Sequence, residues 1–153
     1  MRAVAYSIRS FEKEPLARAN KKKHDITLIS NPLGLETASF AQGKEAVIIS
    51  NHDQLSELVI NRLADLGVKY ITVRSSDLKN IDQEAADRRN IKIANVPVRS
   101  DFSEPEQFSI TLQEIASCTI FNLDHWQDNS CSGENGDCHH ASAAEKINTQ
   151  KSA

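Results

Sequence analysis

Five short apolar segments recur along the first 97 residues, and polar or helix-forming stretches separate them. Brief apolar runs bounded by polar turns are typical of strands buried in a parallel sheet. They predict strands at residues 2–7, 25–29, 45–50, 70–73 and 91–96. Because parallel strands need crossover connections, the alternation predicts an α/β fold, a flavodoxin-like open parallel sheet of about five strands with helices on both faces.

The stretches between the strands carry helix signals. Asp53 is the predicted N-cap of the strongest helix, and Gly67 is its stop signal. Between them, apolar and long side chains follow the three-and-four spacing of a helix packed on a sheet: Leu55, Leu58, Val59, Arg62, Leu63 and Leu66. Ser10 can cap a helix that runs to about Lys22, and its start is left open because Pro15 is tolerated only in a first turn. Short helices are also predicted from Glu36 to Gln42, with Gly43 as stop signal, and after Asp82.

The pattern changes after Pro97. Residues 103–106 (SEPE) form a capping-box start with proline in the first turn, so one C-terminal helix is predicted through about Ser117. Residues 119–123 predict either a sixth short strand or a packed extended segment. Beyond about Gln127 serine, asparagine, glycine and acidic residues dominate, which predicts a flexible tail. The expected division is an α/β domain at 1–123 and a polar, disordered tail at 124–153.

Length and composition narrow the classes of function. A chain of 153 residues suits one domain, and its 39% hydrophobic and 25% charged residues are ordinary. The net charge of −3 argues against nucleic acid or an anionic membrane as a partner. No apolar run reaches the roughly 20 residues of a membrane span, and no signal-peptide core is present. Three cysteines, an odd number, argue against a disulfide scaffold, so a reducing cytoplasm is expected.

Ligand chemistry in such sheets gathers at the carboxyl ends of the strands. The candidate cleft residues that follow the third to fifth strands are His52, Arg74, Ser75, Ser76, Asp77 and Arg99. Each has a plainer interpretation. His52 could simply enter a helix, and Asp77 could face solvent. Arg99 could hold a carboxylate, pair with Asp77, or be an ordinary surface side chain.

Several stretches resemble one enzyme family. They are AYSIRSFEKE at 5–14, TLISNPLGLETASFAQGKEAVII at 27–49, NRLADLGVKYITVRS at 61–75, NID at 80–82 and NIKIANVP at 90–97. They are similar to the substrate-binding (catalytic) domain of D-isomer-specific 2-hydroxyacid dehydrogenases, and to the D-lactate dehydrogenase branch most of all. The resemblance implies that backbone amides of this domain bind the substrate carboxylate. A second, Rossmann-type domain would carry NAD and the catalytic arginine, glutamate and histidine.

The cofactor half of that pattern is missing from the sequence. NAD binding needs a glycine-rich strand-to-helix turn that lets the pyrophosphate approach a helix N-terminus. None of the glycines fits G-x-G-x-x-G: Gly34, Gly43, Gly67, Gly133 and Gly136. We therefore expect no cofactor bound by this chain, NAD only if a partner chain supplies it, and no catalytic residue here.

The substrate-binding turn also departs from the family. Ser76 and Asp77 stand where the resemblance implies a small residue and then glycine, so Asp77 adds a negative charge where a hydroxy acid would place its own. Two like charges ~4 Å apart cost ~1 kcal/mol in water and ~4 kcal/mol at an effective dielectric of 20. Residues 98–101 (VRSD) replace the family's tyrosine-serine-proline.

The tail carries metal-ligand residue types without the usual spacing. Cys131, Cys138, His139 and His140, with His125 before them, lack a C-x2-C or H-x3-H pair, so they are weak candidates and no metal site is expected. Cys118 is predicted to be a small buried core residue.

Two functions from different classes remain open. The first is a stand-alone, non-catalytic homologue of the substrate domain that binds a small ligand, such as a carboxylate, or a protein partner, or that forms a homodimer. The second is a half-enzyme that completes an NAD-dependent site with a cofactor domain on another chain. Asp77 and Arg99 favour the first. A metal-dependent interaction through the tail is a weaker third alternative.

Overall fold

The computed structural model describes residues 1–97 and 105–128. It contains one parallel sheet with strands β1 (Arg2–Ala5), β2 (Asp25–Leu28), β3 (Ala46–Ile49), β4 (Tyr70–Val73) and β5 (Lys92–Asn95). Its strand order is β2-β1-β3-β4-β5, the flavodoxin-like order. The predicted fold class is confirmed, and every strand lies within its predicted segment.

Within the described residues, four α-helices and one 3-10 turn connect or follow these strands. They are α1 (Ser10–Asn20), the 3-10 turn (Ala38–Ala41), α2 (Glu57–Asp65), α3 (Gln83–Arg88) and α4 (Pro105–Asp128). Gly43 and Gly67, the predicted stop signals, have φ angles of 78° and 102°, which an L side chain rarely adopts. The Asp82 carboxylate caps α3 by accepting a hydrogen bond from Ala85 N, as predicted.

Alternating side chains of the sheet bury two apolar clusters. Val47, Ile49 and Ile71 pack with α2, α3 and the 3-10 turn on one face. Ala46 and Ile48 pack with α1 and α4 on the other. The central strands β1, β3 and β4 are therefore covered on both faces, which explains their nearly continuous apolar sequences.

Helix α4 corrects two predictions. It does not end near Ser117, and residues 119–123 are neither a strand nor extended, because the helix continues to Asp128. Short apolar runs do not distinguish a strand from a buried helix by periodicity alone. The decisive spacing is longer: Ala116, Ile120, Leu123 and Trp126 are all buried against the sheet. Of the predicted tail, residues 124–128 are helical and residues 129–153 lie outside the described residues.

The starts of two helices also differ from prediction. Helix α2 begins at Glu57 after Ser56, so Asp53 does not cap it. Ser10 is the first residue of α1 instead of its cap, and Pro15 lies inside that helix instead of in its first turn. Leu58, predicted on the inner stripe of α2, is 65% exposed. The shift in the start of α2 follows from the buried role of Asp53 described below.

Two observations bear on the chemical setting. Cys118 is half-buried and disulfide-bonded, so it is not the small, fully buried core residue that was predicted. Within residues 1–97 and 105–128, no helix has both the length and the apolar character that a bilayer crossing requires.

Candidate functional site

A buried carboxylate joins the carboxyl ends of the strands. Asp53 is fully buried, and its Oδ1 accepts hydrogen bonds from Ser7 Oγ (2.8 Å) and Leu33 N (2.8 Å). Its Oδ2 accepts one from Ser50 N (2.9 Å). Asp53 thus connects the segments that follow β1, β2 and β3, and Asn80 Nδ2, from the turn after β4, donates to its backbone carbonyl (2.6 Å).

The second cross-link is Arg74, the first residue after β4. Its side chain is only 7% exposed and forms an ion pair with Glu12 of α1. Its Nη2 group also donates to the backbone carbonyls of Tyr6 (2.8 Å) and Ser7 (3.4 Å). Burial lowers the pKa of the Arg74 guanidinium, and the carboxylates of Glu12 and Asp53 oppose that shift. Arg74 was predicted to line a ligand cleft, but its guanidinium instead binds Glu12 and backbone carbonyls of this chain.

Tyr6 completes this buried polar network. Its hydroxyl donates to the carbonyl of Thr37 (2.7 Å). Burial raises the pKa of Tyr6 to about 12, and the nearby Asp53 carboxylate adds to that increase. The phenol is thus a hydrogen-bond donor throughout the physiological pH range.

The predicted substrate-binding turn closes on itself. Asp77 N donates to Ser75 Oγ (3.1 Å), and Lys79 N donates to Asp77 Oδ1 (2.9 Å). The Asp77 side chain is 50% exposed, and its Oδ2 lies 3.7 Å from the solvent-exposed ammonium of Lys79. Ser76 is exposed, and its carbonyl accepts from Asn95 Nδ2 (3.3 Å). Of the interpretations offered for Asp77, the structure matches the solvent-facing one.

The other predicted residues contribute little to this network. His52 lies at the same edge of the sheet but is exposed, and its backbone N–H donates to Ser50 Oγ (3.1 Å). Arg99 lies outside the described residues, as do the weak metal candidates Cys131, Cys138, His139 and His140. Within residues 1–97 and 105–128, no three histidine, cysteine, aspartate or glutamate side chains group together as metal ligands.

Comparison with known proteins identifies the domain. The sequence model of the family "D-isomer specific 2-hydroxyacid dehydrogenase, catalytic domain" matches residues 3–131, which is most of the chain. This chain belongs to that family. The resemblance stated from sequence motifs is thereby confirmed.

Three relatives show how much of a family member the chain represents. It is 33% identical to a 2-hydroxyacid dehydrogenase homolog of Zymomonas mobilis over 69% of this chain and 32% of that protein. The apo structure of Escherichia coli D-lactate dehydrogenase matches with a TM-score of 0.62 and 32% identity, covering 64% of this chain and 31% of that one. The NAD-complexed D-isomer specific 2-hydroxyacid dehydrogenase of Lactobacillus delbrueckii matches with a TM-score of 0.60 and 24% identity, covering 65% and 31%. The chain spans about a third of these relatives.

The Lactobacillus delbrueckii relative was solved as an NAD complex, but the turn from β1 to α1 of this chain does not fit a dinucleotide. The turn from β1 to α1 contains no glycine, so its side chains keep a pyrophosphate away from the backbone. The α1 N-terminus is also capped from within, because Glu12 Oε2 accepts from Arg9 N (2.8 Å). A carboxylate at that position repels a phosphate.

Three residues of this 2-hydroxyacid dehydrogenase domain were missed by sequence reasoning: Tyr6, Glu12 and Asp53. Tyr6 and Glu12 lie within a motif that carried the resemblance, but nothing local assigns them a role. Asp53 has one signal, an acidic residue just after a buried strand at the edge where ligands gather. That signal was interpreted as a helix cap, because its partners are distant in sequence.

Proposed function

We propose that this domain is a non-catalytic homologue of the 2-hydroxyacid dehydrogenase substrate domain. It binds a small ligand or a protein partner and does not present a hydroxy acid to a nicotinamide. The observation that carries the proposal is the turn from Ser75 to Lys79, which is closed by its own side chains and presents a carboxylate to solvent.

The closed turn removes donors that an anionic substrate needs. The resemblance implies that backbone amides of this turn bind the substrate carboxylate in the family. Here the amides of Asp77 and Lys79 donate to Ser75 Oγ and Asp77 Oδ1. A ligand carboxylate would have to displace these bonds while approaching the charge of Asp77. The repulsion of ~1–4 kcal/mol is comparable to the ~4 kcal/mol that binds a millimolar ligand.

Arg74 does not compensate for this repulsion. Its guanidinium is nearly buried, and Glu12 already neutralises it. Two backbone carbonyls occupy one of its Nη groups. Bringing Arg74 to a ligand would break a buried ion pair, which is strongly unfavourable when one charge is left behind.

A half-enzyme is the second candidate. About two thirds of each relative lies outside the match, and in the family NAD accompanies the catalytic domain. The intact network around Asp53 favours this candidate, because it would hold the strand ends in place for a cofactor domain supplied separately. Asp77 counts against it, since a working site would need its carboxylate-binding turn.

A thermal-shift panel of 2-hydroxy acids, 2-oxo acids and NADH tests the proposal on the purified chain. A ligand present at one hundred times its Kd adds ~2.7 kcal/mol to the free energy of unfolding. We expect no stabilisation by the acids or by NADH. Stabilisation by a 2-oxo acid alone would favour the half-enzyme, and stabilisation by NADH would overturn the assignment of this chain as a substrate domain alone.

A further inference from the structure

The Nε–H group of Arg74 has no hydrogen-bond partner among the described residues. Arg74 Nε is buried and donates to no acceptor in that part of the chain, although Nη1 and Nη2 are bound to Glu12 and to backbone carbonyls. An arginine carries five N–H donors and stays charged when buried, so an unsatisfied one is costly. Such a group calls for an acceptor that the protein side chains do not supply.

A small cavity lies against the same side chain. Its volume is about 20 Å³, and it lies between α1, α4 and the residue that follows β4. Arg74 and Glu12 supply its polar lining, while Leu16, Leu112, Ile115 and Ala116 are among its apolar lining. A cavity needs roughly 10–15 Å³ to hold one water, and the water needs two to four polar partners.

We propose that this cavity is a binding site for a single internal water molecule. The water accepts a hydrogen bond from Arg74 Nε and donates one to the Glu12 carboxylate. Its position satisfies the Nε donor of Arg74 and links the residue after β4 to α1 beneath the cover of α4. The proposal does not rest on the proposed function.

Size and charge define what the site accepts. A carboxylate or phosphate is larger than the cavity, and Glu12 already neutralises the arginine. An apolar guest of similar size would leave Arg74 Nε unsatisfied. The ligand is therefore neutral, water-sized and able both to accept and to donate a hydrogen bond.

A high-resolution crystal structure of the whole chain, compared with that of Ala116→Val, tests the proposal. Ala116 is buried on α4 and lines the cavity, so two added methyl carbons occupy the space of the water. We expect one ordered water within hydrogen-bond distance of Arg74 Nε and Glu12 in the wild type and none in Ala116→Val. Ala17→Val, at an exposed position of α1 away from the cavity, is the control and keeps the water.

The wild-type density decides the outcome even if Ala116→Val does not fold. Density at the cavity with both hydrogen bonds supports the proposal. Empty density beside well-ordered internal waters elsewhere would overturn it. A direct bond from Arg74 Nε to a protein acceptor would also overturn it.

Discussion

At the scale of single residues, the two buried charged side chains of the site have partners inside the protein. Asp53 and Arg74 are both buried, and both bind groups far away in the sequence. Both side chains thereby hold the carboxyl ends of the strands together. Asp77, in contrast, contacts described residues within its own turn, and its side chain is half exposed. Among the described residues of the Ser75–Lys79 turn, Asp77 therefore presents a negative charge to solvent.

Replacing Asp53 by asparagine should destabilise the fold strongly. The amide would place an N–H₂ group against either the Ser50 amide or the Ser7 and Leu33 donors, so at least one buried donor loses its acceptor. We expect the free energy of unfolding, measured by urea denaturation, to fall by about 2–4 kcal/mol. Asp77→Asn is the matched surface control, expected within about 0.5 kcal/mol of wild type. Equal effects of the two variants would contradict the role given to Asp53.

Replacing Asp77 by glycine should create affinity for small carboxylates. The change removes the charge and frees the amide of Lys79, while Asp77→Asn removes only the charge. In titrations with a 2-oxo acid followed by amide chemical shifts, we expect no saturable shifts in the wild type. We expect weak binding by Asp77→Asn and the tightest binding by Asp77→Gly. An unchanged titration in Asp77→Gly would show that Asp77 does not block the site.

At the scale of elements, α4 shows where local pattern stops being informative. The apolar run at 119–123 is by itself compatible with a strand or a helix. Once it is assigned to a helix, Ala116, Ile120, Leu123 and Trp126 form one buried stripe. Polar contacts also fix the docking of α4. Asn122 Nδ2 donates to the buried Thr72 Oγ1 (2.9 Å), and Trp126 stacks on Tyr70 with ring centroids 4.8 Å apart. No sequence window contains both partners of either pair.

Acidification should loosen α4 through Asp124. Its carboxylate binds Lys23 Nζ and His24 Nε2, each at 2.7 Å. Burial alone would raise the pKa of Asp124, but the hydrogen bonds from Lys23 and His24 outweigh it and lower the pKa below its ordinary 3.8. A lowered carboxyl pKa contributes stability above the unfolded-state pKa and loses it as the pH falls through the folded-state value.

The chain has a single tryptophan, Trp126, and it is 1% exposed, so its fluorescence reports the docking of α4. We expect the urea midpoint followed by this fluorescence to fall as the pH drops below about 4 in the wild type. The fall should be smaller in Asp124→Asn. Glu14→Gln, which changes an exposed carboxylate paired with Arg18 on the surface of α1, should behave like the wild type. An acid response in Asp124→Asn as large as that of the wild type would rule out Asp124 as its source.

At the scale of the whole molecule, the α/β architecture was predictable because it follows from repeated local features. Apolar runs such as 46–49 and stop signals such as Gly43 and Gly67 occur within short windows, and the crossover rule orders them. The contacts of the site were not predictable, because their partners are far apart in the sequence. Ser7 and Asp53 are 46 residues apart, and Glu12 and Arg74 are 62 residues apart. Motif resemblance supplied the family. It did not reveal that the side chain of Arg74, a candidate cleft residue, is buried and paired with Glu12.

The most direct test of the central claim is hydride transfer by the purified chain. The chain is mixed with NADH and a 2-oxo acid, and the loss of NADH absorbance is followed, with Escherichia coli D-lactate dehydrogenase as the positive control. We expect a rate equal to that of the protein-free blank at every concentration of the chain. Sustained NADH oxidation that rises in proportion to the concentration of this chain would contradict it.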